Sequence, residues 1–302
     1  MILDQDSVTL FAEHLKSRGK QPATIESYCR DAASFVTYLQ SHRVSMDQIE
    51  PGTLVAYQEH LRSDLTEREN SVRRAVIGIR QYFRFLTDKS QVKTSPFDCV
   101  AIPQRDERLR RGLKSDVIEN LLKAASQSHP TWKSSRDAAI IALLAYEGIK
   151  ANEIIALRWS DLMMDHETAY LHIGGSRARS IRLSPEPARL LAAYQRQYLM
   201  LNHPVIAQAK EKLMFIAFKG RDASHPLPNM TRHGLKFIVY ELGDKVGAKS
   251  LNTEQLRHFA VTHLISQGMA PDEIMTHLGL RRLGNIAKHL ASVDSSSLIN
   301  AV

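Results

Sequence analysis

The sequence predicts a mainly α fold with a small β-hairpin (α+β), divided into two domains. Three observations lead there. Apolar residues recur at helical spacing through the first hundred residues, with no strand-like alternation among them. A basic stretch without periodicity, AIPQRDERLRRGLK at 101–114, then interrupts the pattern. Beyond it helical patterns resume, broken by two short alternating runs around a Gly-Gly-Ser turn. A chain of 302 residues suits two domains of roughly 100–200 residues each. The boundaries follow the pattern: a helical bundle at 1–98, a basic linker at 99–114 and a second domain at 115–302.

In the first domain Val8, Phe11, Ala12 and Leu15 share one helical face and Gly19 stops the helix. Ile25, Tyr28, Ala32, Phe35 and Leu39 repeat the pattern, with Thr24 as the expected N-cap. Leu54 and Leu61 belong to a third helix. Val72, Val76, Ile79, Phe83 and Leu86 define a fourth, from about Glu69 to Thr87, and Pro96 ends the region. In the second domain a helix starts near Ser115. The run RDAAIIALLAY at 136–146 is too apolar for a surface helix and reads as a core helix closed by Gly148. Residues 168–173 and 180–183 alternate like strands across Gly174-Gly175-Ser176. Helices return after about Asn229. Leu256, Phe259, Ala260, His263 and Leu264 share a face ended by Gly268, and Pro271 opens a short helix closed by Gly279.

The formal net charge of +8 favours polyanionic partners, of which nucleic acid is the commonest. Aromatic residues make up 7%, which gives no sign of a stacking platform for single strands. The two cysteines, Cys29 and Cys99, are isolated and lack metal-ligand spacing, so neither a metal nor an organic cofactor is expected. No apolar run reaches the roughly 20 residues of a membrane span. The N-terminus has no basic segment ahead of an apolar one, so it does not read as a signal peptide and the expected location is the cytoplasm.

Two longer segments carry a resemblance. RDAAIIALLAYEGIKANEIIALRWSDL at 136–162 is similar to the first conserved box of the tyrosine recombinase (phage-integrase) family, of the XerC/XerD kind, through Arg136, Asp137, Gly148, Glu153, Leu157, Trp159 and Asp161. LRHFAVTHLISQGMAPDEIMTHLG at 256–279 resembles the second. TIESYCRDAASFVTYL and VRRAVIGIRQYFRFL are similar to the family's helical core-binding domain, a SAM-like DNA-binding module. The resemblance implies a two-domain, C-shaped clamp around double-stranded DNA. It also implies strand cleavage by a tyrosine, with arginines clamping the phosphorane charge, a hairpin lysine as general acid and histidine assisting proton transfer.

At the positions that the resemblance assigns to this chemistry, the chain departs from the family. The first-box arginine falls at Lys150, a point charge without the planar fork. The hairpin lysine is missing around Gly174, where the nearest bases are Arg177 and Arg179. The histidine ahead of the retained Arg257 falls at Glu254. The later histidine or tryptophan falls at Leu280, and the nucleophile at His289; no tyrosine follows Tyr240. Five of six positions have changed, and losing one essential member of a catalytic unit costs on the order of 10⁶ in rate. The expectation is a DNA-binding member of the family without strand cleavage, an accessory or regulatory subunit. Expected phosphate contacts are Lys20, Arg73, Arg74, Arg80, Arg105, Arg108, Arg110, Arg111, Lys150, Arg177, Arg179 and Arg257. Three alternatives stay open. His289 is either a nucleophile of an altered recombinase or a helix residue filling an emptied slot. Arg257 either binds phosphate or pairs with Glu254. The segment 291–302, with Leu298 and Ile299, either anchors in a second copy or an active recombinase or frays.

Overall fold

The computed structural model describes residues 5–45, 48–63, 69–89, 95–104, 112–127, 131–165, 168–201, 203–208, 212–219 and 225–281. The mainly α architecture with a small antiparallel sheet is as the sequence predicts. The chain forms two compact units, Met1–Arg108 and Leu109–Val302, each with its own core.

The first unit holds α1 (Gln5–Ser17), α2 (Pro22–Ser41), α3 (Pro51–Ser63) and α4 (Glu69–Asp88). α2 begins earlier than the Thr24 cap implies. Gln21 takes the cap position, because Pro22 pre-sets the first-turn φ and lacks the N–H that would otherwise be orphaned there. Thr24 and Ile25 already donate to the Gln21 carbonyl. Val72, Val76, Ile79, Phe83 and Leu86 of α4 are all buried, the face that their spacing predicts. Phe35 of α2 sits edge-on against Tyr57, Phe83 and Phe97, with centroids 4.9, 6.1 and 5.7 Å away, the quadrupole-favoured arrangement. Phe97 and Val100 follow α4 in sequence and complete this core.

The second unit is built around α6 (Thr131–Ala145), which packs among α5 (Ser115–Ser126), α8 (Pro185–Met200) and α11 (Thr253–Ser266). Ala138 to Ala145 are buried on every side, the physical reason this run carries no polar face. Near its start Arg136 donates to Asp137 Oδ1 at 2.8 Å and to the Ile216 carbonyl at 2.9 Å. After α6 come α7 (Ala151–Ile154), a 3₁₀ turn at Trp159–Asp161 and a meander of β1 (Leu162–Asp165), β2 (Thr168–Ile173) and β3 (Arg179–Arg182) in the order β1-β2-β3. The register pairs Leu162 with Leu171 and Leu171 with Ile181. Ala169, Leu171, Ile173 and Ile181 face the core while Tyr170, His172 and Ser180 face out.

α9 (Pro204–Ala207), the two-stranded β4 (Ala217–Lys219) and β5 (His225–Leu227), α10 (Arg232–Lys245) and α12 (Pro271–Leu278) complete the unit. β1, β4, β5 and α8 were not anticipated from the sequence. β1 is an exposed edge strand without alternation in burial, and β4 and β5 are three residues each. α8 does carry a stripe, Leu190, Leu191 and Tyr194. Among the described residues no helix is long and apolar enough to cross a membrane.

Phe35→Ala removes the ring that joins α2, α3 and α4. The expected loss is about 3–5 kcal/mol, read by urea unfolding of the full chain. A midpoint within experimental error of wild type would show that Phe35 does not organise this core.

Candidate phosphate-binding site

The site begins where α6 ends. The chain leaves Ala145 through Tyr146, Glu147 and Gly148 and re-enters a helix at α7, with Lys150 at its N-cap. Gly148 lies at φ +60°, and a Cβ there would come within 2.5 Å of Leu278 Cδ2 and 3.0 Å of Ala260 Cβ. Both the left-handed backbone and the close approach require glycine. The turn brings Lys150 over Glu153. The Lys150 backbone N–H donates to Glu153 Oε2 at 2.9 Å, and its Nζ lies 3.5 Å from Oε1.

Glu153 holds a second cation. Arg179 at the start of β3 reaches it with Nη1 to Oε1 at 3.0 Å and Nη2 to Oε2 at 3.1 Å, a two-point fork. Its Nε donates to the His277 carbonyl at 2.6 Å, and its side chain is 5% exposed. Burial by itself pushes the Glu153 carboxyl up. The hydrogen bonds from Arg179 and Lys150 and the charges of both outweigh it, so the group titrates below the ordinary carboxylate value.

Arg257 projects from α11 into the same region. One terminal nitrogen donates to the Gly148 carbonyl and the other to the Leu278 carbonyl at 2.7 Å. Burial lowers the pKa of its guanidinium, opposed by the charges of Glu153 and Glu254 and reinforced by Arg179. Leu278 O belongs to the C-terminal turn of α12, which lacks helical partners for its last carbonyls, so the arginine satisfies a group that burial would leave costly. The arrangement places two cations, Lys150 and Arg179, on the Glu153 carboxylate and a third, Arg257, within reach of its charge. Lys150, 37% exposed, is the most open of them to a ligand.

The structure thus assembles Lys150, Arg179 and Arg257 in one place. Arg177 stands beside them, its carbonyl accepting from Arg179 Nη1 at 3.2 Å. Arg179, expected as a phosphate contact, is instead an internal strut: buried, its guanidinium is committed to Glu153 and to two carbonyls. Gly174 lies in an open turn beside Gly175, whose φ is +91°. Glu254 does not pair with Arg257. It is exposed on the first turn of α11, 3.8 Å from His258 Nε2. Leu280 packs against Val261, Leu264, Ile274 and Leu278.

In the first unit Lys20 is exposed. Three α4 arginines work internally. Arg74 forks onto the buried Asp31 with both contacts at 2.9 Å, Arg73 donates to the Pro103 carbonyl, and Arg80 to the carbonyls of Asp98 and Val100. Arg80 is 15% exposed, too enclosed to serve as the expected phosphate contact. His289, Arg105, Arg108, Arg110, Arg111 and the segment 291–302 lie outside the described residues. The anchoring role of Glu153 is not evident from the sequence alone, although its place three residues after Lys150, on a helix N-terminus, is a capping-box spacing. Nor does the sequence single out Glu147 and His277. Among the described residues no group of three or more His, Cys, Asp or Glu could hold a metal ion.

A helical unit followed by a mainly helical unit with a three-stranded sheet is the fold of several solved recombinases. The XerH site-specific recombinase bound to palindromic difH substrate superposes with a TM-score of 0.71 at 16% identity, covering 99% of this chain and 90% of that one. A lambda integrase(75–356) dimer bound to a COC' core site gives 0.67 at 12% identity, covering 94% and 93%. By sequence, the tyrosine recombinase XerC of Bacillus licheniformis is 25% identical over 282 residues, 92% of this chain and 89% of that protein. The tyrosine recombinase XerD of Listeria innocua is 24% identical over 288 residues, 90% and 93%. Residues 111–293 match the phage integrase family model and residues 8–90 match the phage integrase N-terminal SAM-like domain. The chain belongs to the phage integrase family.

Because its pKa is depressed in the folded state, Glu153 stabilises the fold above its unfolded-state value of about 4.3. That contribution is lost as pH falls through the lower folded value. Glu153→Gln is expected to cost on the order of 3 kcal/mol at neutral pH, because it leaves a buried arginine without its counter-charge. The gap to wild type should narrow on acidification below about pH 4. Thermal melting of both proteins at pH 7 and pH 3 measures it, and a gap independent of pH would contradict the assignment.

Proposed function

We propose that this chain binds double-stranded DNA with the family's two units and does not cleave it, serving as an accessory or regulatory subunit beside an active recombinase. The observation that carries this reading is the site in the second unit. Lys150 and Arg179 flank Glu153 there and Arg257 stands on the adjoining Gly148 and Leu278 carbonyls, while the positions that the resemblance assigns to proton transfer hold Gly174, an exposed Glu254 and an apolar Leu280. A cationic pocket needs only charge and donors to hold a phosphodiester. Cleavage needs in addition a nucleophile and a proton donor for the leaving oxygen. The nucleophile position falls at His289. Arginine, which holds its proton at any ordinary pH, is a poor substitute for the hairpin lysine as an acid.

In this reading Lys150 and Arg257 touch phosphate directly, with Arg177 beside them. Arg179 supports them through Glu153, and Lys20 and the partly exposed Arg74 contribute from the first unit. Arg105, Arg108, Arg110 and Arg111 belong to the same electrostatic footprint by composition. The XerH and lambda integrase structures hold their proteins on DNA, the latter as a dimer. Assembly of this chain with itself or with an active recombinase through 291–302 is part of the proposal.

Two measurements test it. Duplex affinity should fall steeply with salt, and Lys150→Ala and Arg257→Ala should each flatten the log–log slope by about 0.9. A slope near zero for wild type would refute DNA binding. Separately, tagged protein is incubated with fragmented genomic DNA and washed in native buffer or in boiling detergent. Retention in the native wash alone supports binding without chemistry. DNA that survives detergent and disappears with His289→Ala would establish covalent catalysis and overturn the reading.

A further inference from the structure

Glu147 and His277 lie 130 positions apart in the chain and meet inside the second unit. The Glu147 carboxylate is fully buried at the end of α6, and the His277 side chain is 9% exposed on the last turn of α12. Glu147 Oε2 is 2.9 Å from His277 Nε2, close in distance but off the hydrogen-bond axis, so the contact is chiefly one of charge and dipole. Glu147 Oε1 accepts from the Ser184 N–H at 2.7 Å, which ties the same carboxylate to the end of the β3 strand region. A fully buried carboxylate is expensive without a partner, and neither group is needed to fill this core, since an apolar side chain would do so at lower cost.

The surroundings of this pair give it a task. Gly148, next to Glu147, has no room for a Cβ against Leu278, next to His277. Arg257 bridges the carbonyls of those two neighbours, Gly148 and Leu278. The His277 carbonyl itself receives Arg179 Nε, and Gly279 lies flat against the Arg179 guanidinium, where a Cβ would come within 3.0 Å. The end of α12 is therefore the platform on which Arg179 and Arg257 are both seated. Together with Arg257, the Glu147–His277 contact fastens that platform to the turn carrying Lys150.

We propose that Glu147 and His277 are a positioning pair. By fixing the C-terminal turn of α12 against the Glu147–Gly148 turn, they set the placement of the arginines around Glu153 and so the affinity of the site for a DNA phosphodiester. The inference rests on the DNA-binding reading for its functional consequence and on the α12 contacts alone for its structural one.

The test uses the full chain with two readouts, hydrogen exchange of the amides of 276–281 and affinity for a 40-base-pair mixed-sequence duplex. Glu147→Gln keeps the shape and removes the charge; His277→Gln keeps an N–H donor and guards against a variant that misfolds. Each should speed exchange at the end of α12 and weaken duplex binding roughly tenfold, the size of effect seen when one contact of a coupled network is cut. Combined with Arg257→Ala, either should cause a smaller loss of affinity than it does alone, whereas a general loss of stability would add in full. Wild-type exchange in both variants, or full additivity with Arg257→Ala, overturns the proposal. Faster exchange in a protein whose wild type binds no duplex sustains the positioning pair and removes the DNA-binding reading instead.

Discussion

The Glu153 carboxylate is the constraint around which the second unit's site is arranged. It takes both terminal nitrogens of Arg179, caps α7 through the Lys150 N–H and lies within ion-pair reach of Lys150 Nζ. These contacts fix two parts of the chain against α7: the start of β3 through Arg179 and the end of the loop after α6 through Lys150. Without this anion, a guanidinium that is 5% exposed would have neither water nor counter-charge, a situation costing several kcal/mol. The ion-pair network thus ties the hairpin, whose inner face packs in the core, to the α6–α7 turn.

The same network separates two properties of the site, charge and proton chemistry. Its cations are Lys150 at the N-cap of α7, Arg179 at the start of β3 and Arg257 on α11. Among the described residues, two histidines of this unit are engaged elsewhere. His277 is turned to Glu147, and His263 is held below its ordinary pKa by burial, opposed by the charge of Glu147. A set of fixed charges and dipoles of this kind can hold a phosphodiester without reacting with it.

In the first unit, arginines on α4 serve folding as much as surface charge. Arg73 and Arg80 bind backbone carbonyls of Asp98, Val100 and Pro103, and Arg74 neutralises the buried Asp31. The segment after α4 is strapped to that helix by these bonds and by Phe97 and Val100 in the core. A count of basic residues overstates the electrostatic footprint, because an arginine paired with a buried carboxylate or bound to internal carbonyls has less charge and fewer donors left for a ligand.

What the sequence determined by itself is local and periodic. The faces of α1, α2, α4, α6 and α11, the glycine stops at Gly19, Gly268 and Gly279 and the hairpin strands β2 and β3 can be read from spacing, because helix and strand repeats act over a few residues. The positions of Lys150 and Arg257 were legible through two long motifs. Short or one-sided elements such as β1, β4 and β5 were not, since they exist only against their neighbours. Nor could spacing show that Arg179 faces inward, that Arg257 seats on the Gly148 and Leu278 carbonyls and not on Glu254, or that Glu147 meets His277. Those contacts join residues from 21 to 130 positions apart. They are decided by how α6, α11, α12 and the sheet pack, because the cost of burying a charge depends on which partner the fold brings within about 3 Å.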